Sequence, residues 1–206
     1  MNIIELRHPY HQERVIKEEV VLVLGFFDGV HRGHLYLIEQ VREVAVAHGF
    51  ASGVVTFPVH PRKVVQPEYH PELLTAYEEK VALLAETGLD YCMMLDFTPE
   101  VAILSAKEFM LFLYNHYNIR ALVIGYDHRF GHNRSETFED YVRYGKELGI
   151  EVIKNDAFRI DDINISSSVI RSFLKEGEIE MANQCLGYPY TIIGKVVNGY
   201  HEGRKL

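Results

Sequence analysis

The stretch VVLVLGFFDGVHRGH at residues 20–34 decides the fold of this chain. Its opening, from Val20 to Phe27, is apolar and β-branched without alternation, which predicts a strand buried on both faces. A glycine-rich turn follows, and residues 35–47 then carry apolar side chains at helical spacing. A buried strand that leads through such a turn into a helix is typical of α/β proteins that bind a ligand at the carboxyl end of the strand.

The alternation of strand and helix continues along the chain. Short apolar runs predict further strands, and amphipathic stretches predict helices between them. Because crossovers between parallel strands are right-handed, we expect one parallel sheet of the α/β class with helices on both faces. The predicted strands are 51–57, 91–95, 120–125 and 150–154, and the predicted helices are 77–86, 106–117 and 137–148.

The pattern changes after residue 164. Two helices are predicted, at 168–175 and 178–185, and Gly187-Tyr188-Pro189 then breaks the chain. Residues 190–197 have a β pattern, and a glycine-rich tail follows. We therefore expect an α/β domain over residues 1–187 and the start of a β-rich second module over residues 188–206.

Composition restricts the class of function. The 206 residues carry a net charge of −8, which argues against nucleic acid as a partner because that binding needs clustered positive charge. Cys92 and Cys185 stand alone, so a disulfide framework is not expected. The N-terminus is charged where a signal peptide is apolar, and no apolar run approaches the roughly 18 residues of a membrane helix. These features predict a cytoplasmic protein that does not bind a membrane.

The segment GFFDGVHRGH at residues 25–34 is the strongest local signal. Its glycines let the backbone approach a ligand, and the helix that follows directs N–H groups and a positive dipole end at the same place. His31 and His34 are three residues apart, so both project from one face of the first turn and can donate to phosphate oxygens. Two alternatives stay open: a metal site, which needs a third protein ligand, and two surface histidines among the 11 in the chain.

Three further segments carry polar residues at comparable places. ISSSVIR at residues 165–171 offers hydroxyl groups at a helix start, which either cap that helix or form a second phosphate site with Arg171. TFPVHP at residues 56–61 and GYDHRFG at residues 125–131 follow two predicted strands. Each is weak alone, but parallel strands bring their carboxyl ends to one edge, which predicts a common ligand site.

Together the four segments resemble the adenylyltransferase module of prokaryotic bifunctional riboflavin kinase/FAD synthetases. That module belongs to the His-x-Gly-His nucleotidyltransferase superfamily. Residues 25–34 look like the family's G-x-F-D-G-V-H-x-G-H, and residues 165–171 look like its [IV]-S-S-[ST]-x-I-R. Residues 56–61 and 125–131 are similar to its T-F-x-x-H-P and G-x-[DN]-F-x-F-G, which favour a flavin. The resemblance runs from about residue 20 to residue 187 and implies a Rossmann-like fold of the nucleotidyltransferase type.

The resemblance implies a reaction in which FMN attacks the α-phosphorus of ATP in line, giving FAD and pyrophosphate without a covalent enzyme intermediate. ATP and FMN are the implied small-molecule substrates. Mg²⁺ is the implied cofactor, held mainly by nucleotide phosphates with Asp127 as a candidate ligand. The residues implied in catalysis are His31, His34, Asp127 and Arg171. Those implied at ATP are Gly25, Phe26, Phe27, Asp28, His31, His34, Ser166, Ser167, Ser168 and Arg171, and those implied at FMN are His60, Pro61, Asp127 and Phe130.

The chain departs from the family pattern at three places. Phe27 stands where the family usually has Asn, His128 replaces a Phe, and residues 134–136 replace an Arg-x-Gly. Two alternatives to FMN adenylylation therefore stay open. One is the same nucleotidyl transfer to another acceptor, such as pantetheine phosphate or nicotinamide mononucleotide. The other is a flavin- or nucleotide-binding module with little or no catalysis.

The tail carries a resemblance of its own. Residues 194–204 are similar to the opening strand and glycine turns of the family's riboflavin kinase module. The sequence stops at Leu206, before the Pro-Thr-Ala-Asn element of that module. We therefore expect the full-length protein to continue into a riboflavin kinase module, and no kinase activity from these residues.

Overall fold

The computed structural model describes residues 1–6, 14–126, 128–132, 134–160 and 163–197. Strands and helices alternate as the apolar runs predict. The strands are β1 Asn2–Leu6, β2 Val20–Leu24, β3 Ala51–Thr56, β4 Tyr91–Leu95, β5 Ile119–Ile124, β6 Glu151–Lys154, β7 Arg159–Ile160 and β8 Ile163–Asn164. The helices are α1 Arg32–His48, α2 Pro61–Val65, α3 Tyr77–Ala85, α4 Pro99–Ala102, α5 Ala106–Tyr117, α6 Phe138–Leu148, α7 Ser167–Glu176 and α8 Ile179–Leu186, and a 3₁₀ turn covers Asp28–Val30.

Six parallel strands form the main sheet in the order β1-β4-β3-β2-β5-β6. From β2 the chain proceeds outward to β3 and β4, and it then returns to β5 on the other side of β2. The strand order thus changes direction between β2 and β5, where the two strand ends diverge and leave a crevice. The edge strand β1 was not predicted, and β7 and β8 form a separate two-stranded antiparallel ribbon.

Helices cover both faces of the sheet, which confirms the predicted fold class. Alternate side chains of β2 point to opposite faces, and all five of its residues are buried. Val21 and Val23 pack with α1 and α3, whereas Leu22 and Leu24 pack with α5 and α6. A strand covered on both faces needs a continuous apolar sequence, and this explains the absence of alternation over residues 20–24.

The helices α7 and α8 form a smaller cluster beside the sheet. Ile170 and Leu186 are its buried centre, and they pack with Ile165 and Leu74. This cluster places the N-terminus of α7 against the turn that follows β2, because Ser167 Oγ donates to the Asp28 carbonyl oxygen at 3.0 Å. Residues from opposite ends of the sequence thereby meet at the crevice.

The β pattern at residues 190–197 does not form a strand in the part of the chain that the structure describes. The apolar side chains there are exposed, with Ile192 at 83% and Val196 at 95%. A strand needs a partner for its backbone groups, and no described segment pairs with this one. The sequence pattern alone therefore did not predict its conformation correctly.

Among the residues covered by the structure, no helix combines the length and the apolar character that crossing a bilayer requires.

Candidate active site

The carboxyl ends of β2 and β5 open onto a cavity of about 540 Å³. It lies where the strand order changes direction, which is where open α/β sheets bind their ligands. The turn after β2, the start of α1, the turn after β5 and the start of α7 contribute its walls. The predicted site residues that line it are Gly25, Phe26, Phe27, Asp28, His31, His34, His60, Ser166, Ser167, Ser168 and Arg171.

His31 and His34 form a stacked pair at the N-terminus of α1, with ring centroids 3.6 Å apart and planes inclined by 16°. His31 caps this helix, since its Nδ1 accepts the backbone N–H of His34 at 3.3 Å. A Cβ at Gly33 would lie 3.2 Å from the His31 ring and 3.3 Å from the carbonyl oxygen of Ile165. The close approach of these two groups explains why glycine stands between the histidines.

Burial keeps both imidazoles neutral near pH 7. Burial, with a smaller contribution from the charge of Arg171, lowers the pKa of His31 to about 4. Burial also lowers the pKa of His34, and the neighbouring His31 and Lys80 act in the same direction. Because Nδ1 of His31 accepts a hydrogen bond, the neutral ring carries its proton on Nε2 and presents a donor there. The His31 ring thus offers a fixed hydrogen-bond donor that carries no charge.

We expect acid to destabilise the folded chain through His31 between about pH 6.5 and pH 4. The unfolded chain titrates near 6.5 and the folded chain near 4, so only the unfolded state takes up a proton in this range. Stability present above pH 6.5 is therefore lost as the pH falls, by about 3 kcal/mol of unfolding free energy. Urea unfolding at stepped pH measures this loss, which should be smaller in His31→Asn, where the side-chain oxygen still caps α1.

His48→Asn is the matched control, because His48 lies at the exposed end of the same helix. The pH dependence of its unfolding free energy is the reference for the loss of one exposed histidine. Equal pH dependence in His31→Asn and His48→Asn would contradict the assignment to His31.

The turn between β2 and α1 has a strained backbone. Phe27, Gly29 and Val30 have φ of 56°, 76° and 35°, in the left-handed region that bulky residues rarely adopt. Contacts from distant segments hold this conformation. Thr75 Oγ1 accepts the Gly29 N–H at 3.1 Å, and the Tyr188 hydroxyl donates to the Gly29 carbonyl oxygen at 2.6 Å. The position of the histidine pair is therefore set by tertiary contacts as well as by local sequence.

Asp28 links this turn to Arg171. One carboxylate oxygen accepts the backbone N–H groups of Leu74 and Thr75, at 2.9 and 3.3 Å, and the other accepts Arg171 Nη1 at 2.8 Å. Burial raises the pKa of Asp28, while these hydrogen bonds and the Arg171 charge act in the opposite direction. Asp28 was predicted at the nucleotide, and it does line the cavity, but in this structure its carboxylate orients Arg171 and residues 74–75.

The three serines at the start of α7 have different hydrogen bonds. Ser166 caps the helix through its Oγ, as the capping interpretation predicted. Ser167 bonds to the turn after β2, and Ser168 Oγ accepts Arg171 Nη2 at 3.3 Å. All three still line the cavity. The capping and ligand-binding interpretations of this segment are therefore compatible.

The segment after β3 forms a second wall of the cavity. The His60 ring lies 4.7 Å from the Phe26 ring and 5.4 Å from the Tyr69 ring, measured between centroids. Burial lowers the pKa of His60, and the charge of Arg171 contributes less. Pro61 is the first residue of α2 and does not line the cavity. The aromatic character of this wall suits a flat ring system.

Asp127 and Phe130 were also predicted at the site. Asp127 lies outside the described residues. Phe130 is buried and stacks on Tyr141, with centroids 4.4 Å apart, and the Tyr141 hydroxyl bonds to both its N–H and its carbonyl oxygen at 3.1 Å. In this structure Phe130 is a core residue that packs on α6, and it is not among the residues that line the cavity.

Sequence analysis missed Lys80, which is 2% exposed and lies beneath the cavity. The inward orientation of Lys80 was predictable in part, because Tyr77, Lys80 and Leu84 lie on one face of α3. Sequence analysis also missed the wall formed by the segment between β6 and β7. Its lining residues are Asn155, Asp156, Ala157 and Phe158, and Arg134 also lines the cavity. Tyr126 and His128 line it from the predicted segment 125–131.

Comparison with known proteins adds the following findings. A family model described as FAD synthetase matches residues 13–169. A protein of Listeria monocytogenes is 34% identical over 100% of this chain, and one of Escherichia coli K12 is 32% identical over 98% of it. Both are named bifunctional riboflavin kinase/FMN adenylyltransferase. The chain spans 66% and 64% of the lengths of these two relatives.

Solved structures show the same fold. A protein from Streptococcus pneumoniae described as a macrolide-efflux protein superposes with a TM-score of 0.85 at 30% identity, covering 98% of this chain and 66% of that one. A pantoate-beta-alanine ligase from Francisella tularensis superposes with a TM-score of 0.51 at 16% identity, covering 93% of this chain and 80% of that one. The second likeness concerns the fold alone.

Proposed function

The chain belongs to the FAD synthetase family, and we propose that it is an FMN adenylyltransferase that transfers AMP from ATP to FMN. An oxygen of the FMN phosphate forms a bond to the α-phosphorus of ATP, and the bond from that phosphorus to the bridging oxygen breaks. The products are FAD and pyrophosphate. No covalent enzyme intermediate is part of this proposal.

The observation that carries the proposal is the stacked pair of histidines at the N-terminus of α1. Transfer at the α-phosphorus spreads negative charge over phosphate oxygens, so the main demands on the protein are positioning and donors aimed at that charge. The His31 Nε2–H and the free N–H groups at the helix start supply such donors. Because the His31 ring is neutral and already carries its proton on Nε2, it donates a hydrogen bond and does not take a proton from the substrate.

Arg171 is proposed to hold the triphosphate from the first turns of α7. Asp28 and Ser168 fix its guanidinium, and its side chain remains 28% exposed at the cavity. We expect Arg171→Ala to weaken ATP binding by about 10- to 100-fold, since a hydrogen bond to a charged group contributes about 1.5–3 kcal/mol. Isothermal titration calorimetry with ATP and with FMN measures this, and the FMN affinity should change little.

Arg143→Ala is the control for this variant, because Arg143 lies on the exposed side of α6, away from the cavity. An ATP affinity within about twofold of the unaltered chain in Arg171→Ala would contradict a phosphate contact, given the free energy expected for it.

Mg²⁺ is proposed to accompany ATP. Among the described residues, no group of three His, Cys, Asp or Glu side chains is arranged to hold a metal ion. Asp28 lines the cavity, but its carboxylate already accepts from Arg171 and two backbone amides. Mg²⁺ commonly keeps several waters and needs only one or two carboxylates beside substrate phosphates, so the described residues do not have to form a complete metal site of their own. We propose that the phosphates hold the ion with Asp127 as a candidate ligand, and that it neutralises phosphate charge.

The acceptor is proposed to be FMN, placed against the wall formed by His60 and Tyr69, and the Phe26 ring borders this wall on the nucleotide side. An assay of the purified chain with ATP, Mg²⁺ and FMN, with products separated by chromatography, tests this directly. FAD should accumulate, and pantetheine phosphate or nicotinamide mononucleotide in place of FMN should give no adenylylated product. Adenylylation of another acceptor without FAD formation would overturn the flavin assignment and retain nucleotidyl transfer.

A substitution at Phe27 tests whether the chain is an enzyme or a binding module that has lost catalysis. Its φ of 56° lies where Asn is much more frequent than Phe, yet its ring is 2% exposed and packs edge-on against His34 at 5.1 Å. We expect Phe27→Asn to lose unfolding free energy through that packing and to leave kcat for FAD formation within about threefold, because the histidine donors stay in place. Parallel chemical denaturation and rate measurements test both. A rise in kcat of tenfold or more would support the binding-module alternative instead.

Residues 188–206 are proposed to lead into a riboflavin kinase module in the natural protein. This proposal is supported by the names of the two relatives and by the 64–66% of their lengths that the chain spans. We further propose a cytoplasmic location, which agrees with the two separate buried thiols of Cys92 and Cys185.

A further inference from the structure

Lys80 is a buried amine with an unusual set of partners. It is 2% exposed, and no carboxylate lies within ion-pair distance of it among the residues the structure describes. Buried lysines are rare and are normally paired. Here Nζ donates to the carbonyl oxygens of Phe57 and Phe26, at 2.8 and 3.1 Å, and lies 3.9 Å from the Phe26 ring centroid. Two carbonyl groups and an aromatic face thus replace the usual carboxylate.

The two carbonyl groups belong to the two walls of the cavity. Phe26 follows β2 and leads into the turn that carries the histidine pair. Phe57 follows β3 and leads to His60. The Thr56 hydroxyl also donates to the Phe26 carbonyl oxygen at 3.1 Å, so both strand ends converge on the same small cluster. One side chain from α3 therefore ties together the starts of both segments.

The amine stays charged under ordinary conditions. Burial lowers the pKa of Lys80 to about 8, and the nearby Asp28 opposes that effect. Near pH 7 the group therefore has three N–H donors, of which the two carbonyl groups use two. Lys80 does not line the cavity, so it acts behind the walls and does not contact a substrate.

We infer that Lys80 is a positioning residue that sets the distance between the ATP side of the cavity, residues 25–34, and the acceptor side, residues 57–60. The inference rests on the proposed function, because it assumes that the two substrates meet between these segments. A shift of about 1 Å between two bound reactants lowers turnover by as much as about 100-fold. Each substrate bound alone contacts only one of these two segments. Its dissociation constant therefore depends little on the distance between the segments.

The test compares Lys80→Met, which keeps the volume and removes the donors, with Lys80→Arg, which keeps donors and charge. We expect kcat for FAD formation to fall by about 10- to 100-fold in Lys80→Met, with the separate dissociation constants of ATP and FMN within about threefold of the unaltered chain. Lys80→Arg should recover part of the lost kcat. Ser52→Ala is the matched control, because it removes a 2.8 Å hydrogen bond to Asp90 at the other end of β3. It should lower stability without lowering kcat.

Amide hydrogen exchange supplies a readout that does not need FAD formation. In Lys80→Met, residues 25–34 and 57–60 should both exchange faster than in Ser52→Ala at matched stability. Unchanged exchange in these segments, or a kcat within twofold of the unaltered chain, would overturn the inference. If the unaltered chain forms no FAD, the proposed function fails, and hydrogen exchange still decides whether Lys80 ties the two walls.

Discussion

His34→Ala is expected to lower kcat for FAD formation by about 10²–10³-fold, or about 2.7–4 kcal/mol, while the FMN affinity changes little. The expected fall in kcat is the size found when one fixed group is removed from a site where negative charge develops in the transition state. His34 stacks on His31 at 3.6 Å and on Phe27 edge-on at 5.1 Å, so removing the ring also loosens its neighbour. His31→Ala is expected to have an effect of the same order, because it removes both the Nε2 donor and the cap of α1. Single-turnover rates with both substrates saturating measure the loss.

His48→Ala is the matched control, since it removes a histidine from the exposed end of the same helix. Its kcat should equal that of the unaltered chain. Unchanged turnover in both His31→Ala and His34→Ala would remove the pair from the catalytic residues. An equal loss in kcat and in FMN affinity would instead indicate that the pair shapes the acceptor side.

The buried sheet was predictable because its sequence has to be continuously apolar. The runs 20–24, 91–95 and 121–124 lie between helices on both faces, so apolar side chains are favoured on either side. The tail at residues 190–197 has a similar composition, but its conformation depends on a partner strand that local sequence does not specify. The edge strand β1 was missed because residues 2, 3 and 5 are exposed, so the strand does not need a continuous apolar sequence.

The glycine turn and the helix starts also predicted which segments line the cavity, since the carboxyl ends of parallel strands meet at one edge. The individual contacts of the residues around the cavity could not be predicted from the sequence. Sequence spacing cannot show that Asp28 reaches residue 171 or that a lysine on α3 lies under residues 26 and 57, because these are contacts between distant segments. The stacking of Phe130 on Tyr141 is another such contact, and the motif that contains Phe130 did not predict it.

Asp28→Ala is expected to lower the unfolding free energy by about 3–5 kcal/mol, as removal of one partner from a buried ion pair does. The carboxylate is 5% exposed and accepts three hydrogen bonds, from Leu74, Thr75 and Arg171. Its loss leaves two backbone N–H groups and a guanidinium without their acceptor, and it removes one of the contacts that hold the strained turn. Urea unfolding at pH 7 measures the change, and calorimetry should show weaker ATP binding because Arg171 is no longer oriented.

A double-mutant cycle separates this indirect role from a direct contact of Asp28 with the nucleotide. If Asp28 acts on ATP by orienting Arg171, then Asp28→Ala adds little to the loss of ATP affinity already present in Arg171→Ala. A direct contact would make the two losses additive, which would contradict the positioning role. The losses of unfolding free energy in the two single variants should also be non-additive, because Arg171→Ala removes the cation that Asp28→Ala leaves unpaired. Part of the loss of unfolding free energy should nevertheless persist in the double variant, because the amides of Leu74 and Thr75 still lack an acceptor. That remaining loss measures how much Asp28 stabilises the turn independently of Arg171.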